Sequence, residues 1–310
     1  MKSASDVKDI GVINTVKYWY LLLKMRLKSN SNNGIIPWHD FNDYEYFLKK
    51  YCPDRATLLE NKVLEIGYGA RPWRLVALSS MGVNIQGIDL ERPLYGFNVV
   101  RLLKVLKDNG FERFFKSFVR GILFDSRDLK KIKNELEIRG KSLVVNEEIM
   151  KVGNAGEKFH FEDGSFTFAF SEDVLEHVPR PELSKLIDNL SHWLKKGSIV
   201  VLRPHIFTGI SGGHNPDWYP HKVLDMSAPK ETAWEHLIEK NFKVNTYLNR
   251  LKFDDYLKMF EKKFELLEIK HRHEKLGENY LTEEIYNKLR NDYSREELFL
   301  NQIAIVLRVK

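Results

Sequence analysis

"VLEIGYGARP", residues 63–72, decides how the rest of the chain is read. Val63, Leu64 and Ile66 make an apolar run that stops at Gly67 and Gly69 and then meets Pro72, a residue well suited to the first turn of a helix. A strand ending in glycines just before a helix is the local pattern of a βα turn built around a ligand. Outward from this stretch, further strands are expected at 84–89, 148–152, 166–171 and 198–203, with helices between most of them. That alternation predicts a largely parallel sheet covered on both faces. "KFELLEIKHRH" (263–273) and "LFLNQIAIVLRVK" (298–310) read as two closing strands, separated by a helix from near Leu281 and a turn around Ser294. The expected class is therefore α/β, a Rossmann-like sheet of seven strands.

Residues 1–60 read as a helical N-terminal segment, with two helices parted by the polar break "KSNSNNGIIP" (28–37), and 61–310 as the α/β domain. Two stretches interrupt the alternation. Residues 93–141 are about twice what a connection between second and third strands requires, and they read as a helical insertion. Residues 204–232 have no clear period and begin where a strand ends, the place where open α/β sheets hold ligands, so this loop is a candidate substrate wall.

Composition narrows the setting. With one cysteine, Cys52, no intramolecular disulfide can form, and no leader pattern opens the chain, so a cytoplasmic setting is expected. The run "TVKYWYLLLKMRLK" (15–28) is interrupted by Lys17, Lys24 and Arg26 and falls short of the roughly 20 apolar residues a membrane span needs. Its aromatic and basic residues would suit a helix docked on its own domain or lying at the inner face of a membrane. The net charge is +6, and between Arg92 and Lys141 there are 13 Lys and Arg against 6 Asp and Glu, so the insertion carries the whole excess. Such a stretch favours an anionic partner, for instance a phosphate-linked glycan, a nucleic acid or a lipid surface, or else is a solvated face.

A dinucleotide is the first candidate for the glycine turn, because Asp89 follows about 20 residues after it. Pro72 occupies the place of that pattern's third glycine, however, and Glu65 at the strand tip would oppose two phosphates. A ligand with a positive amino group would suit Glu65. "VLEIGYGARP", then "GIDLERP" (87–93), then "VGNAGEKFHFEDGSFTFAFSEDVLEHVP" (152–179) resemble, in this order, the successive motifs of class I S-adenosylmethionine-dependent methyltransferases. The resemblance spans about residues 60–205 and implies that fold and that cofactor. By matching motif it implies that Glu65, Gly67 and Gly69 line the methionine and ribose side and that Asp89, followed by Leu90, takes the ribose hydroxyls. Asn154 and Ala155 would border the adenine, and Ser171 would stand at the end of the fourth strand. Asn154 departs from the commoner Asp, and Arg71 stands where many relatives have a third glycine; it could reach the cofactor's carboxylate.

The chemistry after the fourth strand is the second decision. Methylation of a base amine usually brings an Asn/Asp-Pro-Pro-aromatic motif there, and this chain has "SEDVLEHV" instead, which favours O-methylation. On a helix, Asp173, Glu176 and His177 would share one face at i, i+3 and i+4. The run resembles the Glu-x-x-Glu-His motif of metal-dependent O-methyltransferases, which implies Mg²⁺ or Mn²⁺, with His205 or His214 completing the site. Without a metal, His177, His205 and His214 are the candidate general bases. His221 and His236 read as structural, and Glu172 as a first-turn helix acid. In "GGHNPDWYPH" (212–221), Trp218 and Tyr219 offer flat faces and His214, Asn215 and Asp217 offer hydrogen bonds, a mixture suited to a sugar. The leading expectation is an O-methyltransferase for a sugar, glycan precursor or related small hydroxylated molecule, with RNA 2′-O-methylation and a non-catalytic cofactor-binding scaffold as the alternatives.

Overall fold

The computed structural model describes residues 35–94, 99–158, 160–239, 242–244 and 246–310, together with Tyr20. The remainder of the basic N-terminal run at 15–28, with most of the polar break after it, lies outside the described residues. Seven strands, β1 (Lys62–Ile66), β2 (Asn84–Asp89), β3 (Met150–Val152), β4 (Phe166–Glu172), β5 (Leu194–Arg203), β6 (Phe264–His271) and β7 (Ile303–Val309), form one sheet in the order β3-β2-β1-β4-β5-β7-β6. β1, β2 and β3 are parallel, with Lys62 opposite Asn84, Ile66 opposite Ile88 and Asp89 opposite Val152. Every residue of β4 is buried, Thr167, Ser171 and Glu172 included, as befits a strand covered on both faces.

The chain divides into two compact units. One comprises Asn32–Phe170, Asp188–Val200 and Arg308–Lys310. In it, helix α1 (Trp38–Tyr51) lays Tyr44 on the sheet, stacked at 4.7 Å on Phe170 and tilted at 5.6 Å against Phe168. Helix α2 (Trp73–Ser80) follows the glycine turn and buries Leu75, Val76, Ala77 and Leu78. The basic insertion is helical, as expected: α3 (Val99–Arg120) is broken at Gly110, whose φ of 82° no β-carbon-bearing residue adopts readily. A π-turn (Gly121–Asp125) then leads into α4 (Ser126–Glu137). Glu135 of α4 accepts from the Ile35 N–H at 2.6 Å and the Trp38 indole at 3.0 Å, which fastens the insertion to the start of α1.

The other unit includes Ser171–Ile187 and Val201–Leu307. Helix α5 (Arg180–Trp193) enters here from the turn after β4. The stretch expected to be an irregular wall has its own core: Trp218, Trp234, Leu276, Tyr280 and Leu298 pack together with Ile210. Short helices α6 (Pro220–Leu224) and α7 (Glu235–Ile238), then α8 (Phe253–Phe260), α9 (Glu283–Leu289) and α10 (Arg295–Leu298), complete it. Three expected boundaries shift for local reasons. The third strand starts at Met150 because Asn146 caps a 3₁₀ turn over Glu147–Ile149. Leu298 belongs to α10, where Ser294 and Glu297 form a capping box, and the last strand begins only at Ile303. The fifth strand begins earlier, at Leu194.

Candidate active site

The glycine turn of the first unit closes on Asp89. Gly67 (φ 77°) donates its N–H to the Ile88 carbonyl at 2.9 Å, and Gly69 (φ 68°) donates to Asp89 Oδ2 at 2.7 Å. The Glu91 N–H donates to Asp89 Oδ1, also at 2.7 Å. Burial pushes the Asp89 carboxyl up to about 6, the two N–H donors opposing and Glu91 reinforcing that shift. A β-carbon built on Gly69 would meet nothing within 4 Å among the described residues, so the turn borders space that they leave open. Glu65 is buried, with Oε1 taking a bond from Arg74 at 3.1 Å and Oε2 lacking a partner among the described residues; burial raises its pKa against the pull of Arg74. An orphaned carboxylate oxygen beside an open glycine turn fits a ligand that brings a positive group and hydroxyls.

The remaining expected cofactor residues are placed as follows. Leu90 is exposed at the strand tip. The Asn154 Oδ1 accepts from the Gly156 N–H at 2.9 Å and so folds its own loop. Ala155 is buried, and its carbonyl accepts from Asn189 at 2.9 Å. Asn189 also donates to the Glu157 carbonyl at 3.0 Å and pins the loop that sequence reading assigned to the adenine. This residue was missed, although an asparagine on the buried stripe of α5 was its signal. Arg71 does not stand free for a cofactor carboxylate: its guanidinium makes a bidentate pair with buried Asp125, at 2.9 and 3.1 Å, and joins the turn to the insertion.

In the second unit, Ser171 is buried, and Glu172 ends β4 in a buried pair with Arg203 at 3.2 Å, rather than opening a helix. Asp173 then takes φ 55°, and Leu175–His177 form a single 3₁₀ turn. The helical face expected for Asp173, Glu176 and His177 is therefore not formed, because one turn of three residues cannot set out an i, i+3, i+4 row. Asp173 turns aside to accept from Gln302 at 2.8 Å and lies 3.3 Å from His205 Nε2. Glu176 turns inward, and its oxygens gather with nitrogens of His205 and His214, the three ligand atoms lying within 4.8 Å of one another. His214 Nε2 stands 3.7 Å and His177 Nε2 3.9 Å from Glu176 Oε1. The ring centroids of His177 and His214 are 4.8 Å apart, and those of His205 and His214 4.9 Å.

Burial governs the charges here. It lowers the pKa of His177 and of His205, and it pushes His214 down to about 2 with the help of the neighbouring imidazoles. Burial and the Asp173 carboxylate raise Glu176. His177 faces the acceptor-only carbonyl of Tyr247 with Nδ1 at 2.9 Å, which puts the ring proton there and leaves Nε2 with its lone pair. Beside Tyr247 lies a cavity of about 230 Å³ with Phe207, Phe242, Val244 and Arg250 in its walls. The expected sugar platform is corrected: Trp218 is 3% exposed in the unit's core and donates to Thr232 at 3.3 Å. Asn215 caps its own turn by accepting from the Asp217 N–H at 3.0 Å, and Asp217 pairs with Lys222 at 2.7 Å. His236 is structural, bonded to the Phe207 carbonyl at 2.8 Å, and His221 is exposed.

Residues 99–202 match the family described as a methyltransferase domain. Solved structures similar to the chain include an S-adenosylmethionine-dependent methyltransferase of Methanosarcina mazei, 17% identical over 80% of this chain and 92% of that one, with a TM-score of 0.38. Another is the PH0226 protein of Pyrococcus horikoshii, 12% identical over 88% of this chain and 90% of that one, with a TM-score of 0.40. No curated protein matches the chain in sequence. The family match covers a third of the chain, from the insertion to the end of the fifth strand, and the β3-β2-β1-β4-β5-β7-β6 order with its glycine turn after β1 agrees with the α/β fold expected for such a methyltransferase domain. The match supports an enzyme that takes its methyl group from S-adenosylmethionine.

Proposed function

We propose that this enzyme methylates a hydroxyl of a small polar acceptor, with a sugar or glycan precursor as the substrate class. The observation that carries the reading is the convergence of His177, His205 and His214 on Glu176, in the loops that follow β4 and β5. Imidazoles held neutral by their surroundings can take the proton that a hydroxyl must lose, a need that an amine nucleophile at neutral pH does not impose in the same way. His177 is the favoured base, since the Tyr247 carbonyl holds its proton on Nδ1 and leaves Nε2 to accept. Bound S-adenosylmethionine supplies an electrophilic methyl group, so one displacement suffices and positioning is the protein's main task. In this reading Glu65 takes the cofactor's amino group, Gly67 and Gly69 allow its close approach, and Asp89 takes the ribose hydroxyls. Leu90, Asn154, Ala155 and Ser171 complete that side. The positive excess of the insertion supports an acceptor that carries a phosphate.

The test is methyl transfer from labelled cofactor to separate nucleotide-sugar, glycan and RNA fractions, with a His177→Ala variant alongside. Label in a sugar fraction that falls by about 10²-fold or more in the variant is the expected result. Transfer to RNA alone, or none to any hydroxylated acceptor, would overturn the reading.

A further inference from the structure

We propose that Glu176, His205 and His214 form a binding site for one divalent transition-metal ion of the zinc, manganese or iron type, in preference to magnesium. Three independent observations converge on it. The first is spacing: the three ligand atoms lie within 4.8 Å of one another. Tetrahedral ligands about 2.1 Å from a common centre stand about 3.4 Å apart, so the most widely separated pair would close by roughly an ångström to an ångström and a half, a shift within reach of side-chain rotation, to meet on one ion.

The second is the state of the carboxylate. Among the described residues, both oxygens of Glu176 and Nε2 of His214 are buried without a hydrogen bond of ordinary geometry, the backbone N–H groups of Glu176 and His205 approaching the carboxylate only loosely. Kept ionised out of water in this way, a carboxylate costs several kcal/mol unless a cation answers it, and without one it takes up a proton, the direction in which its pKa is moved. Arg203, the buried arginine of the same unit, is paired with Glu172. The lone pairs of one carboxylate and the neighbouring imidazoles thus point into a common space that a cation would satisfy. The third is backbone strain. His214 holds φ 53°, a left-handed conformation that costs a β-carbon-bearing residue about 1 kcal/mol, and such strain is kept where the side chain must be aimed.

Donor chemistry selects the ion. Two imidazole nitrogens with one carboxylate suit zinc, iron, cobalt or manganese, whereas magnesium prefers an octahedron of oxygens and keeps its water. This set replaces the Asp173, Glu176 and His177 triplet expected for Mg²⁺ or Mn²⁺. Asp173, 3.3 Å from His205 Nε2, is then a positioning residue that orients the His205 ring. His177 remains outside the set as a neighbour of Glu176. An ion with three protein ligands keeps a position for a hydroxyl and favours its ionised form. That role rests on the O-methylation reading, while the binding itself does not.

The experiment is a titration of chelator-treated full-length protein with Co²⁺, Zn²⁺, Mn²⁺ and Mg²⁺ by calorimetry, with the visible spectrum of the Co²⁺ form, in the absence of cofactor and acceptor. One ion per chain is expected, with Mg²⁺ at least about tenfold weaker than Mn²⁺. The Co²⁺ absorption should be lost in His205→Ala and in His214→Asn, the asparagine being chosen because it tolerates the left-handed backbone. Both variants should keep S-adenosylmethionine binding and the wild-type circular dichroism spectrum. Should either misfold, the wild-type stoichiometry and the Co²⁺ spectrum decide. No stoichiometric binding by the wild type, equal affinity for Mg²⁺, or an unchanged Co²⁺ spectrum in folded variants would each overturn the site. Methyl transfer to a sugar by metal-free enzyme would overturn the ion's part in ionising the hydroxyl and leave the proposed acceptor standing, whereas absence of transfer with stoichiometric ion bound would overturn the acceptor and leave the site.

Discussion

Removing the Asp89 carboxylate separates its part in the fold from its part in the cofactor site. Its two oxygens each accept a backbone N–H at 2.7 Å, from Gly69 and from Glu91. Hydrogen bonds to a charged group contribute about 1.5–3 kcal/mol each. Desolvation outweighs them, and the net of all these effects lifts the pKa from its ordinary value of 3.8 to about 6. A shift of about two pKa units amounts to about 3 kcal/mol in favour of the protonated form. These opposing contributions leave the Asp89→Ala variant within about 1–2 kcal/mol of wild-type stability. If Asp89 takes the two ribose hydroxyls as proposed, the loss of those bonds has no such offset, and about 3 kcal/mol raises the dissociation constant about a hundredfold. Asp89→Asn keeps one acceptor oxygen and should lose about tenfold. The assay is calorimetric titration with S-adenosylmethionine, with urea denaturation to establish folding. A folded Asp89→Ala variant that binds within threefold of wild type would refute the assignment. The pH dependence supplies a second arm. Because the folded pKa is raised, this group's contribution to stability is fully present below its unfolded value of 3.8 and is lost as pH rises through about 6. Wild type should therefore lose stability relative to Asp89→Asn between pH 4 and pH 7, while its cofactor affinity rises over the upper part of that window.

Three further substitutions probe the packing. Asp125→Ala leaves Arg71 buried and unpaired, and should cost about 3–5 kcal/mol in urea denaturation, whereas Arg71→Met combined with Asp125→Leu should recover most of it; a single-variant cost under about 1 kcal/mol counts against the buried pair. Gly209→Ala sets a β-carbon 2.3 Å from the Leu300 carbonyl oxygen, a backbone atom that cannot retreat, so thermal denaturation should register a loss of about 3 kcal/mol, and an unchanged melting temperature contradicts that close approach. Trp218→Ala should destabilise by about 4 kcal/mol as a core truncation; unchanged stability with weakened acceptor binding would restore the sugar-platform role.

What could be read in advance follows the range of the forces involved. The turn at Gly67–Gly69, the acid at Asp89 and the strands were legible because each depends on residues close in sequence, the buried strands being mostly apolar between turn residues. The direction of a side chain in the aperiodic stretch after β5 had no such signal. Trp218 carries the same flat face whether it meets a sugar or Tyr280, and only the packing around it puts the two rings 5.1 Å apart. Arg71 found Asp125 54 positions away, a partner that no local pattern announces.

The histidines mark the boundary most clearly. His177, His205 and His214 could be nominated from sequence by residue type and by their position after strands, because the ends of strands are where an α/β sheet binds ligands. Their grouping could not. The expected row depended on a helix after β4, and the left-handed Asp173 with a single 3₁₀ turn sent Asp173 to Gln302 and Glu176 inward. The sequence by itself determined the sheet, the cofactor turn and the residue types available for chemistry, since these rest on local backbone preference and hydrophobic period. Tertiary structure alone decided which carboxylate meets which imidazoles, because that depends on how separate loops close over one another and on the free energy of burying charged groups together.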